Sequence, residues 1–341
     1  MTQNTGTKSS IHILNKAKMR IVGNSIWMVP VCYEAKCALV ELDIDTGELL
    51  TMDYFPEKEG RNCLQTGIAF ANGYLFFSPG NGKKIWKYDI EHKNFIEMDM
   101  NLTEEEINLR GGRFSNIIQY QNQLFLFGMW VEGIIKYDLD TGNVKRYTEH
   151  HEELNPKERF APNGIYATKS ILIEDKIYYL CQNFRTVIIF DMINESCSIF
   201  DIDTDEDVVF SDIEYENGQF ILYGVNEKAY IWETGTSRAE LCGYLTGREL
   251  QNKWLIEAGE FTNASDISYI EKKDNRILLQ NELTGNVYLM DIEEDEYRLS
   301  KLPINHDKVA LQVLKKDGIV AESDICSLNS LISVLTECDI K

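Results

Sequence analysis

A motif of four apolar, strand-like segments recurs six times along the chain, with a period of about 40–55 residues. Each copy opens on a small polar residue close to an apolar one, and a turn then leads into a second apolar segment. The clearest copies begin at Thr66, Ser115 and Ser211. Four strands per repeat at this period are typical of a β-propeller, in which every repeat forms one blade.

The four strands of each repeat, here called A to D from the inside outwards, differ in their apolar pattern. The B strands, such as residues 74–77 and 124–127, are almost continuously apolar and aromatic. This pattern indicates that both faces are buried between neighbouring blades. The C and D strands alternate more, which is typical of half-exposed strands. Asp-Thr-Gly at 45–47 and 140–142 predicts hairpin turns between them.

We therefore predict an all-β fold with a single β-propeller over residues 18–316. Six four-stranded blades fit the repeats best, and seven are the alternative. In the N-terminal segment, 1–17, residues 11–14 are a candidate ring-closing strand, and 309–314 are another. Residues 317–341 are predicted as a helical tail that either packs on the propeller rim or binds a partner. Its apolar stripe comprises Ile325, Leu328, Leu331, Ile332 and Leu335.

The charge balance restricts the classes of partner. The chain holds 55 acidic residues against 34 Lys and Arg, which gives a net charge of −21. Because binding to nucleic acid or to an anionic membrane requires a basic surface, we expect neither partner. The first residues lack a hydrophobic segment, and no run of about 18 apolar residues occurs. The eight cysteines form no CxxC pair. We therefore expect a cytoplasmic protein whose thiols are reduced.

Known catalytic motifs are absent from the sequence. It has no nucleophile elbow, Walker loop, His-Glu-x-x-His helix or dinucleotide fingerprint, so we expect no cofactor. His150 and His151 precede an acidic stretch and are interpreted as solvated residues rather than metal ligands. Acidic segments that begin at Asp43, Asp138 and Asp201 resemble calcium loops. Each lacks glycine at the sixth position, and we expect no metal site.

Topology indicates where a ligand would bind, because D–A connections and B–C loops emerge on the same face of a four-stranded blade. The D–A connections carry a recurring arginine, at Arg61, Arg113, Arg159 and Arg248. The B–C loops add aromatic and amide side chains, namely Tyr33, Asn81, Trp130, Asn183, Phe184, Asn226 and Asn281. Guanidinium groups bind carboxylates and phosphates bidentately, and the aromatic rings would stack on a sugar or another planar group. The candidate ligand is therefore a small anionic or sugar-like molecule, with a protein as the alternative partner.

A structural interpretation of the same residues stands beside the functional one. Arginines in loops often pair with acids, and hydroxyls at the starts of inner strands would bond to the backbone of neighbouring blades. Asp212 and Asp266 would then neutralise the arginines. If the site is catalytic, these two carboxylates are the first candidates for acid–base roles.

The longest insertion, residues 243–262, is a separate functional candidate. It includes Leu250, Trp254, Leu255 and Ile256. A long connection that carries aromatic residues on a rigid scaffold is a typical place for binding.

Two segments carry a resemblance to known proteins. Leu-Phe-Leu-Phe-Gly at 124–128 and Ile-Lys-Tyr-Asp-Leu-Asp-Thr-Gly at 135–142 resemble bacterial propellers of the Kelch, NHL and WD40-like type. The resemblance covers roughly residues 18–302. The Gly-His and Trp-Asp signatures of WD40 repeats and the double glycine of Kelch repeats are missing. The resemblance implies scaffolds and binding modules more often than enzymes, and it carries over no catalytic residue.

The sequence thus favours a non-enzymatic binding or interaction module that uses the face of the D–A connections and B–C loops. The first alternative is a propeller lyase or hydrolase that acts on an anionic or sugar-like substrate at the central pore. The second is a structural subunit that docks a protein through the 243–262 insertion or the C-terminal helix.

Overall fold

Six four-stranded antiparallel sheets make up the fold, which is that of a six-bladed β-propeller. The computed structural model describes residues 18–29, 37–56, 65–80, 82–109, 113–154, 169–181, 185–273, 275–293 and 296–304. Each sheet follows chain order from its inner to its outer strand, so the prediction of six blades is confirmed. The chain divides into two compact units, of which one holds blades 1 and 6 and the other blades 2–5.

The first unit contains eight strands. Blade 1 consists of β1 (Lys18–Val22), β2 (Ser25–Val29), β3 (Ala38–Asp43) and β4 (Leu49–Tyr54). Blade 6 consists of β21 (Ile267–Lys273), β22 (Arg276–Asn281), β23 (Val287–Glu293) and β24 (Glu296–Lys301).

The second unit contains four blades. Blade 2 consists of β5 (Gln65–Ala71), β6 (Tyr74–Pro79), β7 (Ile85–Asp89) and β8 (Asn94–Met98). Blade 3 consists of β9 (Phe114–Tyr120), β10 (Gln123–Gly128), β11 (Ile134–Asp138) and β12 (Val144–Tyr147). Blade 4 consists of β13 (Lys169–Ile173), β14 (Lys176–Leu180), β15 (Thr186–Asp191) and β16 (Ser196–Asp201). Blade 5 consists of β17 (Phe210–Glu216), β18 (Gln219–Gly224), β19 (Ala229–Trp232) and β20 (Ala239–Leu241).

The connections of the second unit hold the described α-helices. They are α1 (Glu104–Ile107), α2 (Glu149–Leu154) and α3 (Gly247–Glu257). Thr103 caps α1 with the reciprocal capping box that its sequence predicts. His150 and His151 lie in α2, within the connection where the sequence placed them. The interpretation of His150 as a solvated residue was wrong, because its side chain is buried.

In blade 3, strand B packs on both of its faces, as the continuous apolar pattern predicts. In β10, Leu124 and Leu126 belong to the apolar cluster that blade 3 shares with blade 2. The alternate residues Phe125 and Phe127 belong to the cluster shared with blade 4. The ring of Phe127 lies 3.9 Å from that of Tyr179, centroid to centroid. Period-two alternation therefore sends successive side chains of one strand into two different cores.

In the first unit, blades 1 and 6 pack in the same way. Met28 of β2 shares an apolar cluster with Leu278 of β22. The Glu271 carboxylate accepts a hydrogen bond of 2.9 Å from the backbone N–H of Ile21. At Gly47, whose φ is +67°, an added Cβ would lie 2.4 Å from the carbonyl oxygen of Pro303, so this hairpin turn requires glycine.

Blades 3 and 4 are also joined by polar contacts. The Asn116 side chain donates a hydrogen bond of 2.7 Å to Ser170 Oγ. Glu195 of blade 4 accepts from Lys136 Nζ at 2.6 Å and pairs with Lys145. The hydrogen bonds from Lys136 and Lys145 lower the pKa of Glu195 to about 2.

Several predictions fall outside the described residues. They concern the candidate ring-closing strands at 11–14 and 309–314 and the C-terminal helix. Among the helices of the described residues, none is long and apolar enough to cross a membrane.

The ion pairs of Glu195 lead to a test by pH. Because its pKa falls from 4.5 to about 2 on folding, Glu195 stabilises the protein above pH 4.5, and this stabilisation is lost as the pH falls toward 2. We expect Glu195→Gln to lower the free energy of unfolding at pH 7 by about 1–2 kcal/mol, and the difference from wild type to shrink below pH 4.5. Denaturant unfolding at pH 7, 5 and 3 measures both effects. The control Glu97→Gln removes an exposed pair with Lys84 and should cost less than about 0.5 kcal/mol.

Candidate functional site

The predicted ligand residue Arg113 is enclosed by the protein. It directly precedes β9, and only 2% of its surface is exposed. Its guanidinium donates to three backbone carbonyl oxygens at the end of α1, those of Glu106 at 3.2 Å, Ile107 at 2.5 Å and Leu109 at 3.2 Å. The Glu106 carbonyl also accepts from the Leu109 N–H at 3.4 Å. Arg113 adds side-chain donors to the carbonyls at the helix end and so closes the C-terminus of α1. A role of Arg113 in binding an anion stays a prediction.

Three of the predicted B–C loop residues are described. Asn281, in the other unit, is buried at the end of β22, and its side-chain oxygen accepts from the backbone N–H groups of Leu283 and Thr284 at 3.0 Å. The backbone N–H of half-buried Trp130 lies 3.4 Å from the Arg113 carbonyl oxygen, so these two candidates do meet in blade 3. Asn226 of blade 5 donates to Tyr230 Oη at 3.0 Å and to Glu206 at 3.3 Å. The other candidates lie outside the described residues; they are Tyr33, Arg61, Asn81, Arg159, Asn183 and Phe184.

The recurring hydroxyl at the start of inner strands has a structural role. Thr66, Ser115 and Ser211 donate to the carbonyl oxygens of Ser78, Phe127 and Tyr223, at 3.0–3.3 Å. Each acceptor is on strand B of the same blade, so the expectation of bonds to a neighbouring blade was wrong. The strand register shifts at each of these points, and the side chain of the extra residue in the bulge bonds to the opposite strand. Ser265 differs, because it lies in a 3₁₀ turn before β21.

The connection that follows blade 5, residues 242–262, is here called the helical connection. It contains α3, whose N-cap is Thr246 and whose capping box is completed by Glu249. The backbone N–H of Gly247 donates to the Glu216 carboxylate at 3.1 and 2.9 Å. This carboxylate stabilises the exposed N–H groups and the positive dipole end of the helix. The sequence predicted an insertion here but not how it is fixed to the blade.

A partly buried charge cluster fixes the same helix to the inner strand of blade 5. Arg248 forms ion pairs with Asp212 and Glu214 of β17, and only 13% of its side chain is exposed. Its guanidinium carbon lies 4.7 Å from the ring centroid of Tyr223. Tyr223 Oη in turn lies 3.0 Å from both Glu214 Oε2 and Thr246 Oγ1. The cluster therefore joins β17, β18 and the helical connection.

Burial dominates the electrostatics of this cluster. Burial opposes the charged form of Arg248, but the nearby carboxylates of Asp212 and Glu214 raise its pKa above the usual value. Burial also raises the pKa of Glu214, an effect that Arg248 offsets only in part and that Asp212 adds to. Asp212 and Glu214 share one guanidinium in a desolvated environment. Their burial therefore depends on Arg248.

The carboxylates proposed as an acid–base pair belong to different parts of the protein. Asp212 lies in the unit of blades 2–5, and its carboxylate binds Arg248, as the structural interpretation of the sequence expected. Asp266 lies in the other unit, where it is buried and its carbonyl accepts from the Glu282 N–H at 2.8 Å. Their catalytic roles stay a prediction.

The outer side of the helical connection presents apolar side chains to solvent. Four large side chains within ten residues are 46–57% exposed: Leu241, Tyr244, Leu245 and Leu250. These four residues are here called the apolar patch. Leu245 and Leu250 occupy the N′ and N4 positions of α3, which face each other in a hydrophobic staple. Leu241 is paired with Tyr230 on the sheet face that packs toward blade 4, so the patch comprises exposed residues that are close in sequence and is not confined to one face of the sheet.

The acidic turns that resemble calcium loops are explained by local hydrogen bonds. Asp43 Oδ1 accepts from the backbone N–H groups of Asp45 and Thr46 and from the Thr46 hydroxyl, at 2.8–3.0 Å. Asp138 makes the same contacts in its own turn. Such bonds close an Asx turn without a cation. Within the described residues, no group of three or more His, Cys, Asp or Glu side chains is arranged to hold a metal ion.

Comparisons with known proteins give no sequence match, only similar solved structures. No protein-family model matches the chain, and no curated protein matches its sequence. Among solved structures, the WD40 repeats of RRP9 are similar, with 10% identity, a TM-score of 0.49 and coverage of 85% of this chain and 82% of that one. BamB from Moraxella catarrhalis is similar at 11% identity and a TM-score of 0.43, with coverage of 84% and 73%. At these values the similarity carries no argument about function.

The Arg248 cluster leads to a test of its structural role. Arg248→Met leaves two carboxylates in a desolvated place, and we expect it to lower the free energy of unfolding by about 3–5 kcal/mol. Adding Asp212→Asn and Glu214→Gln to this variant should restore part of the loss, since the charges themselves are then removed. Denaturant unfolding at pH 7 measures all three proteins.

The matched control for this test is Arg238→Met. Arg238 pairs with Asp205 on the surface, where both side chains are mostly exposed, so its loss should cost less than about 1 kcal/mol. Equal losses for the two arginine variants would contradict a structural role of the cluster.

Proposed function

We propose that this protein is a non-enzymatic interaction module whose partner docks on the apolar patch of blade 5. The observation that carries the proposal is the contrast between the two sides of the helical connection. Its inner side is fixed by Arg248, the Thr246 capping box and Glu216, whereas its outer side presents exposed apolar side chains. A rigid segment that exposes apolar surface loses little conformational entropy on binding.

The charges around the patch favour a basic partner. Along the same stretch of chain, Glu240 and Glu257 are exposed, Glu249 is half-exposed, and Lys253 is the one exposed base of α3. The chain as a whole carries a net charge of −21. Opposite charges on two proteins accelerate association and suppress wrong partners, and this effect weakens with salt. We therefore propose a protein partner with apolar side chains in a basic surrounding.

The patch refines the function that the sequence favoured. The helical connection is a D–A connection, and Val225, in the B–C loop of the same blade, is also exposed. The proposed surface thus uses the two kinds of loop that the topology indicated. It also adopts the alternative in which the 243–262 insertion docks a protein. Binding of a small anionic or sugar-like molecule receives less support, because both described arginines of the predicted site are engaged within the protein.

The test compares two variants, each of which introduces negative charge at a different exposed region. Tyr244→Asp together with Leu245→Asp should weaken partner binding at least about tenfold, since charge and lost apolar contact act in the same direction. The control Leu50→Asp alters an equally exposed leucine of blade 1 and should leave binding unchanged. Proteins cross-linked to wild type and to the control but not to the double variant are purified, and their affinities are measured by calorimetry at two salt concentrations.

Three results would contradict the proposal. One is that no purified protein distinguishes the double variant from the control. The second is an affinity that does not fall with salt, which would remove the argument for a basic partner. The third is concentration-dependent dimerisation through the patch in analytical ultracentrifugation, which would make the occupant a second copy of the chain. Equal melting temperatures of the variants confirm that folding is intact.

A further inference from the structure

A cleft of about 290 Å³ lies between blades 4 and 5, apart from the helical connection. It is lined by A–B and C–D turns of both blades, with Glu174, Ile193 and Thr234 among the lining residues. In a four-stranded blade these turns emerge opposite the D–A connections and B–C loops. The cleft is therefore on the side that the sequence argument did not consider. Its volume is near the lower limit of ligand sites, which suits a small group rather than a large molecule.

Three aromatic side chains form the apolar part of the cleft. Tyr178 and Phe220 are buried, and their ring centroids are 4.3 Å apart. The Tyr215 ring lies 4.8 Å from that of Phe220, and 42% of Tyr215 is exposed. The cleft therefore offers aromatic surface that a planar or cationic group can contact from solvent.

Carboxylates surround this aromatic surface. Glu174, Asp175 and Asp191 line the cleft, and Lys176 is its one lining base. Asp191 accepts from the backbone N–H groups of Ile193 and Asn194, and the N–H of Asn194 contributes most to lowering the Asp191 pKa. Asp175 accepts from the Tyr120 hydroxyl. The lining charges sum to about −2 at neutral pH, because three carboxylates face one lysine.

Glu174 is the carboxylate most available to a ligand. It is exposed in the tight turn between β13 and β14, where its φ is +53°, and within the described residues its side chain makes no hydrogen bond or ion pair. Lys176 does not neutralise it, since its Nζ lies 4.0 Å from Asp191 Oδ2. The Glu174 carboxylate and the exposed Tyr215 ring thus line the same cleft.

We propose that this cleft binds a guanidinium group, with its plane over the exposed Tyr215 ring and its N–H groups toward Glu174 and Asp191. A guanidinium fits better than an ammonium, because it is planar, weakly hydrated and able to stack on rings while it donates to carboxylates at its edge. Its source is either an arginine side chain of a polypeptide or a small molecule such as free arginine. The inference does not depend on the apolar patch, none of whose residues lines the cleft.

Calorimetric titration with small probes tests the proposal on the full chain. N-acetylarginine methylamide represents a peptide-borne arginine, and N-acetylcitrulline methylamide is its neutral isostere. We expect millimolar or tighter binding of the arginine derivative, at least about fivefold weaker binding of butylammonium, and no measurable binding of the citrulline derivative. Free arginine distinguishes the two sources: its own carboxylate weakens binding if the cleft selects a peptide-borne arginine, and leaves it unchanged or tighter if the ligand is small.

Matched variants assign binding to the cleft. Glu174→Gln and Tyr215→Ala should each weaken the arginine derivative about threefold to tenfold. The controls are Glu227→Gln, which alters another exposed glutamate with positive φ, and Tyr244→Ala, which alters another exposed tyrosine. Equal binding of the arginine and citrulline derivatives would overturn the proposal, as would equal effects of the cleft variants and their controls. Unchanged melting temperatures separate these outcomes from a loss of folding.

Discussion

Apolar packing between neighbouring sheets is the interaction on which the rest of the described structure depends. A single four-stranded sheet with two apolar faces has no stable form in water, so each strand B needs a blade on either side. In blade 3 this requirement is met twice within one strand, since Leu126 faces blade 2 and Phe127 faces blade 4. The outer strands are partly exposed to solvent. The turns that join them accommodate polar residues, and these residues make the specific contacts.

One face of the blade 5 sheet carries charged side chains in place of an apolar surface. This difference explains why the helical connection packs on that face. Phe220 and Leu222 pack toward blade 4, but the opposite face of the same sheet carries Asp212, Glu214 and Tyr223. An apolar neighbour there would leave the carboxylates desolvated without a partner. Arg248 supplies the countercharge, so the chain must return over this face before the next blade begins. A buried ion pair is weak support for stability, but it selects one position for the segment that carries it, which is our hypothesis for this connection.

The sequence could predict the strands and the number of blades, because period-two alternation and apolar B strands have a direct physical cause in the packing between sheets. It also located the hydroxyl at the start of three inner strands, but assigned its bond to the wrong blade. The bulge beside Ser115 is a matter of strand register, which residue identity alone does not show. The arginines were misleading in a similar way. Arg113 and Arg248 recur at similar places in the repeat, yet one binds carbonyls and the other carboxylates.

The interblade cleft could not be predicted, because it depends on four turns that are far apart in sequence and on the angle between two sheets. No single turn has the composition of a binding site: Glu174 is in an ordinary tight turn, and Tyr215 continues the alternation of β17. Packing of Tyr178 on Phe220 brings the two blades together, and the acidic turns then surround the exposed edge of this aromatic contact. The same interblade packing that stabilises the fold thus creates a recess with recognisable chemistry. At such a boundary between blades, two repeats together present a set of side chains that neither repeat carries alone.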